Sequence, residues 1–539
     1  MVSTAEGRVQ TASEEQRPEQ DRRGGVHQRI GLIAGPIAFA VVLALPFPAS
    51  VSAAAHRTAA VALLMAIWWM SEALPLAATA LLPLALLPAL GVLTPAASAA
   101  PYANSVIFLF LGGFVLALGM ERWGLHRRIA LAVVALVGTS PRRLIGGFMV
   151  ATAFLSMWIS NTATTAMMLP IGLALAAVMR QAPGTGAARG SAVEAGPDRR
   201  SGGGDGGVAD LPDDDAPHAA FPFGTALMLG IAYAATIGGV ATLIGTPPNA
   251  VFAASAQEIL GRTIGFAEWM MVGLPVTFVL LPIAWVLLVF VLHPPGKLPP
   301  GADALLRDER RSLGPMSRGE KMVLVIFCLT ALGWIMRSPK QIGALHVPGL
   351  TAVLPGIDDS TIAIIAALLL FILPVDWRRG VFVMNWRTAR GLPWGVLLLF
   401  GGGLSLAHAF EASGLTLSIA HMVSGLAGMP GWVLLLVVVT TFVLLSELAS
   451  NTAIAALAMP VLAAAAAGTG QNPLLFMAAG ALAASAAYMM PVATPPNAIV
   501  FGSGYIRMGQ MIRAGIWLNI VSIILLLLVG RLIIMHVLL

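Results

Sequence analysis

Apolar runs about as long as a bilayer is thick recur along this chain, among them residues 30–47, 269–292 and 516–538. Asp, Glu, Lys and Arg together supply only 10% of the 539 residues, against about 25% in soluble domains. So little charge cannot coat a surface that meets water, so the outer surface meets lipid. The expected fold class is an all-α polytopic membrane protein. The single cysteine, Cys328, excludes an intrachain disulfide or a cysteine-based metal site and reads as a small apolar residue. The net charge of +6 does not point to nucleic acid, because its Lys and Arg residues sit in loops without aromatic interleaving. Basic loops are what the positive-inside bias produces.

Residues 1–28 are polar and read as a disordered cytoplasmic tail. No cleavable signal is expected, and the first apolar span is retained as a membrane helix. Residues 29–292 form a first membrane repeat, residues 293–320 a basic cytoplasmic link, and residues 321–539 a second membrane repeat. Within the first repeat, 181–219 holds SGGGDGG and DDD runs; it can bury almost nothing and reads as a disordered linker. Basic clusters in the tail, in the link and in 376–390 are placed inside, which puts the N-terminus in the cytoplasm. The closing MHVLL carries no Lys or Arg and is placed outside, so the number of spans is odd. The expected location is the cell inner (plasma) membrane, in contact with lipid.

The two repeats match in register. Gly112-Gly113 aligns with Gly402-Gly403, Glu121 with Glu411, Gly124-Leu125 with Gly414-Leu415, Ser160-Asn161-Thr162-Ala163 with Ser450-Asn451-Thr452-Ala453, and Pro170 with Pro460, all 290 residues apart. Thr246-Pro247-Pro248-Asn249-Ala250 then matches Thr494-Pro495-Pro496-Asn497-Ala498 at a spacing of 248. The linker 181–219 nearly accounts for the change. Duplicated halves of this kind mark secondary transporters, whose sites lie near the membrane midplane at interrupted helices. If the duplicated part of each half holds an odd number of spans, the second repeat is inverted; each half carries a re-entrant hairpin and a broken helix.

Polar turns at membrane depth are tolerated only where they are buried in protein or line a cavity. A turn at Ser-Asn-Thr offers neutral hydroxyl, amide and carbonyl oxygens that suit Na⁺. The helix that follows offers free N–H groups and about half a positive charge to an anion. In Thr-Pro-Pro-Asn the prolines forbid a regular helix and leave the carbonyls of Gly245 and Ala493 free for an ion. None of the four motifs contains Lys or Arg, so an anion's charge is balanced by cations and helix ends. One positive charge moved inward gains roughly 2.3 kcal/mol per 100 mV.

Each feature has a plainer reading. One Ser-Asn-Thr alone is a helix cap and one proline pair alone a kink, but neither reading explains two copies in register. Glu447 reads as a hydrogen-bonded structural carboxylate rather than a proton carrier. Glu72, Glu121 and Glu411 read as packing residues, and Trp68-Trp69 as interfacial or core aromatics. His56, His126 and His408 show no ligand spacing. An intramembrane enzyme is the rival from another class. It lacks any His-x-x-x-His, Gly-x-Ser-x-Gly or paired intramembrane Asp, so no enzyme is expected.

At AIWWMSEALPLAATALLPL (66–84), GLHRRIAL (124–131), SMWISNTATTAMMLPI (156–171), IGTPPNAVFAAS (244–255) and PVATPPNAIVFGSG (491–504) the chain resembles the divalent anion:sodium symporter family. That family includes bacterial dicarboxylate transporters and animal citrate, dicarboxylate and sulfate cotransporters. The resemblance implies an elevator transporter, a homodimer with scaffold and transport domains, and Na⁺ as coupling ion. It implies a first Na⁺ site of Ser156, Ser160, Asn161 and the Gly245 carbonyl. The second would use Ser446, Ser450, Asn451 and the Ala493 carbonyl. Asn161, Thr162, Thr246, Asn451, Thr452 and Thr494 would face the anion. Ser446 stands where the family commonly has Thr, which keeps the hydroxyl, and the linker 181–219 is unusually long. The expected function is Na⁺-coupled symport of a divalent anion, a C4-dicarboxylate such as succinate, malate or fumarate. Dicarboxylate exchange, or carriage of sulfate or citrate, is the alternative on the same fold.

Overall fold

The computed structural model describes residues 25–180, 221–296 and 302–538, apart from positions 47, 49, 50, 139, 343 and 344. The expected disordered tail, as far as residue 24, and the expected linker 181–219 lie outside the described residues. Helix α1 (Val26–Ala44) starts three residues before the boundary expected at 29.

The described residues are nearly all helical. Two short antiparallel hairpins, Lys340–Ile342 with Leu345–Val347 and Pro374–Asp376 with Val381–Phe382, connect helices. Eight helices among these residues are long and apolar enough to cross a membrane, and up to nine if Leu415–Leu426 and Gly431–Ser446, bent by 120°, form one span. The exposed apolar side chains fit a lipid-facing surface. Ile516, Trp517, Ile520, Ile524 and Leu528 line one helix, and Phe278, Val279, Ile283 and Val286 another.

After α2 (Ala53–Ser71) the first half continues with α3 (Ser105–Arg122), α4 (Leu125–Val137), α5 (Pro141–Ser156), α6 (Asn161–Arg180), α7 (Pro222–Gly239), α8 (Pro247–Leu260) and α9 (Phe266–Val286). The second half runs α10 (Arg318–Ile335), α11 (Asp359–Ile372), α12 (Trp394–Ser413), α13 (Leu415–Val423), α14 (Gly431–Ser446), α15 (Asn451–Gly468), α16 (Pro473–Ala484), α17 (Pro495–Phe501) and α18 (Met508–Val529). Helix boundaries follow the motif spacing. α5 and α14 start and end 290 residues apart, α6 and α15 both begin on the Asn of Ser-Asn-Thr, and α8 and α17 both begin on the first proline of Thr-Pro-Pro-Asn. Proline is suited to that first position, where its missing N–H has no helical partner to lose.

Local signals set the other ends. Ser140 accepts from the Arg143 N–H and precedes Pro141, while Asn472 accepts from Leu474 N–H and precedes Pro473. The central link is not bare chain. It contains a charged helix, Ala302–Ser312, and a capping box in which Ser317 and Glu320 exchange bonds of 3.1 and 2.6 Å. Arg128 on α4 holds it through Glu320 at 2.8 Å and the Gly314 and Leu313 carbonyls at 3.0 and 3.1 Å. Arg127 pairs with Glu309.

At the centre lies α7, buried over nearly its whole length. It packs against α5, α6, α9 and α17. The halves are crossed: α6 lies against α17, and α8 against α15. In lipid, helices associate through close contact of small residues, and the duplicated glycines show why they recur. A methyl group on Gly112 would meet the Ala363 backbone of α11 at 2.5 Å, and one on Gly402 would meet the Ala80 carbonyl oxygen at 2.4 Å. Gly112→Ala and Gly402→Ala should each lower the melting temperature of the purified protein, at a cost of about 1–3 kcal/mol for overpacking. Gly425→Ala, with open space around the new methyl, should not. Equal melting of all three variants would contradict close packing at these glycines.

Candidate functional site

The first Ser-Asn-Thr motif closes a four-residue turn, 157–160, between α5 and α6. Ser160 accepts from the Ala163 N–H at 3.3 Å and so caps α6. The Asn161 amide end that points inward meets acceptors: Ser156 Oγ at 2.6 Å, the Ala235 carbonyl at 3.1 Å and the Gly245 carbonyl at 3.3 Å. Ser156 has one proton, and it reaches the Ala235 carbonyl at 2.7 Å. Two arrangements satisfy this ring. The amide nitrogen turns inward within reach of all three, its two protons serving two of them while Ser156 serves Ala235, or its oxygen turns inward and four oxygens share one hard cation, as such ions prefer. Gly239 makes room for this, since a methyl there would lie 2.4 Å from the Asn161 amide. Sequence reasoning named Ser156, Ser160, Asn161 and Gly245. It missed Ala235, because any residue type supplies a carbonyl.

The break between α7 and α8 is held by side chains of its own. Thr242 donates to the Met157 carbonyl at 2.5 Å and accepts from the Gly245 N–H at 3.1 Å. Asn249, the Asn of Thr-Pro-Pro-Asn, donates to the carbonyls of Thr242 at 2.7 Å and of Gly239 and Val240, both at 3.2 Å. Asn497 repeats this with the Met490 and Ala487 carbonyls at 3.0 and 3.4 Å. Both Asn residues are fully buried, so their amides take carbonyls that the broken helices release.

The second half is built differently. Ser446 is buried and its hydroxyl lies 2.8 Å from the Val443 carbonyl and 3.4 Å from that of Ala486. Ser450 precedes α15 without a side-chain capping bond, and the Asn451 amide oxygen is buried without a partner. Among the described residues no hydrogen bond links Ser446, Ser450, Asn451 and Ala493 to one another. Glu447 is a hydrogen-bonded carboxylate. It accepts from Tyr488, Met489 and Met490 N–H groups and from Asn519. Of the residues expected to face an anion, Thr162 is exposed, Asn161, Asn451 and Thr452 are half-buried, and Thr246 and Thr494 are buried.

The two turns also differ in cover. Trp158 stacks on Phe266 and meets Phe327 edge-on, and Ile244 is buried. Their repeat counterparts Leu448 and Val492 are 69% and 75% exposed. The structure is closed over the first turn and open over the second. In a Cys328→Ser background, Leu448→Cys and Val492→Cys should react quickly with a small water-borne thiol reagent, and Trp158→Cys and Ile244→Cys slowly. Equal rates at the four positions would refute a one-sided opening.

Comparison with known proteins agrees with this architecture. The model of the sodium:sulfate symporter transmembrane region matches residues 27–539. The sodium-dependent dicarboxylate transporter SdcS of Staphylococcus saprophyticus is 40% identical over 514 residues, covering 95% of this chain and 92% of that protein. The protein of the same name from Staphylococcus aureus is 41% identical over 505 residues, covering 93% and 90%. Among solved structures, the Alcanivorax borkumensis YdaH transporter, described as having an unusual topology, shares the fold at a TM-score of 0.52 and 16% identity, covering 83% of this chain and 88% of that one. With a family model spanning the chain from residue 27 to its end, this protein belongs to the family of the sodium:sulfate symporter transmembrane region.

Proposed function

We propose that this protein carries a divalent anion across the cell membrane by sodium-coupled symport, with a C4-dicarboxylate such as succinate, malate or fumarate as substrate. The observation that carries this reading is the ring of oxygens around the Asn161 amide, a donor set suited to Na⁺. It is supported by relatives named as sodium-dependent dicarboxylate transporters.

The first Na⁺ is held by Ser156, Ser160, Asn161 and the Gly245 carbonyl, to which we add the Ala235 carbonyl on the strength of its 3.1 Å approach. The second is held by Ser446, Ser450, Asn451 and the Ala493 carbonyl. The anion lies between the starts of α6 and α15, where free N–H groups and the helix dipoles face it. Asn161, Thr162, Asn451 and Thr452 hold its carboxylates, with Thr246 and Thr494 beside them. Two inverted repeats, moving together as an elevator in a homodimer, expose this site to each side in turn. The N-terminus is cytoplasmic and the C-terminus lies outside.

Radiolabelled succinate should accumulate in proteoliposomes under an inward Na⁺ gradient and not when choline replaces Na⁺; uptake indifferent to Na⁺ would end the symport reading. Asn161→Ala and Asn451→Ala should each cut uptake about tenfold or more, the scale of one lost charge-assisted bond of roughly 1.5–3 kcal/mol. Wild-type uptake and Na⁺ dependence in both variants would remove these residues from the site.

A further inference from the structure

The repeat places Glu447 at the position of Met157, and Tyr488, Met489 and Met490 at the positions of Val240, Ala241 and Thr242. In the first half α7 runs to Gly239, and the Val240 and Ala241 N–H groups still find carbonyls one turn back at 3.3 and 3.0 Å. In the second half α16 stops at Ala484, three residues before the matching point. The N–H groups of 488–490 are thereby released inside the protein. The Glu447 carboxylate collects them: Oε1 accepts from Tyr488 at 2.7 Å and Met489 at 3.0 Å, and Oε2 from Met489 at 3.0 Å and Met490 at 3.1 Å. Asn519 on α18 donates a further bond of 2.7 Å to Oε1.

All these partners are donors, so the two carboxylate oxygens serve only as acceptors, the pattern an anionic carboxylate fits. Glu447 is 4% exposed, and among the described residues no Lys, Arg or His forms an ion pair with it. A buried carboxylate held only by neutral donors keeps a negative charge that attracts any cation bound close by. Its neighbour Ser446, and Ala493, whose N–H bonds the Met490 carbonyl at 3.2 Å, are the residues given to the second cation.

We propose that Glu447 is a positioning residue that holds the second helix break open and gives the second cation site a formal negative charge. The first site, with Met157 in its place, has none. The inference rests on the sodium-coupled reading above and deepens it: the second site binds Na⁺ more tightly than the first.

Hydrogen exchange of the purified full chain, titrated with Na⁺ at constant ionic strength in choline, tests this without any substitution. Residues 485–494 should be protected at lower Na⁺ than residues 235–246. The reverse order, or equal midpoints, overturns the inference. In Glu447→Gln the Na⁺ midpoint of 485–494 should rise about tenfold, the scale of one nearby charge at the effective dielectric of a protein. The midpoint of 235–246 should stay in place, and Glu447→Asp should recover part of the loss. A folded Glu447→Gln with a wild-type midpoint also overturns it. If Glu447→Gln does not fold, the wild-type exchange order decides. If Na⁺ protects neither segment of the wild-type chain, sodium coupling itself fails, a result distinct from failure of the order alone.

Discussion

A helix that unwinds inside a bilayer has to satisfy its own backbone, because no solvent is available to do so. The site follows from that constraint. At the end of α7 the Asn249 amide takes the carbonyls of Gly239, Val240 and Thr242. Thr242 ties the turn to Met157 and closes on Gly245. What is left over is a surplus of acceptors: the Ala235 and Gly245 carbonyls and the Ser156 hydroxyl, all turned toward Asn161. Such a surplus is costly in an apolar surround unless something positive meets it. On the proposed reading the first Na⁺ meets it; with the Asn161 amide nitrogen turned inward, the amide meets it instead.

The halves share the starts of their motif-bearing helices and differ in the chemistry of their turns. Where the first uses Met157 with a threonine hydroxyl, the second uses the Glu447 carboxylate. Where the first packs a half-buried Trp158 against Phe266 and Phe327, the second leaves Leu448 open. Identical halves would hold two turns of equal energy and equal cover. Unequal halves allow one turn to be docked while the other is open.

The fold class and the motif-bearing helices were legible because lipid enforces simple signals. Ser-Asn-Thr and the proline pairs, in their constant repeat spacing, mark where α6, α8, α15 and α17 begin. The role of the Asn in Thr-Pro-Pro-Asn was less legible. Asn249 and Asn497 brace the breaks through bonds to backbone carbonyls, which have no residue signature. Ala235 was invisible for the same reason. Ser160 carries both a capping role and a place in the candidate site, and the sequence alone does not separate these. The helix inside the central link was missed because its composition is that of a solvated loop, while its attachment depends on Arg127 and Arg128 from a distant segment.

Charge ties these features to transport. A dianion entering the core of this protein meets no Lys or Arg in any of the four motifs. Two helix starts offer about half a charge each, which together leave a dianion under-compensated at low dielectric. On the proposed reading bound cations close that gap, and the anion in turn offsets the charge they bring to the oxygen clusters. On the proposed reading, neither partner is stable in the site alone, so each raises the affinity for the other by the same factor. Coupling then requires no separate device. It follows from building an anion site out of neutral oxygens and backbone N–H groups, where a fixed arginine would have held the anion without any need for sodium.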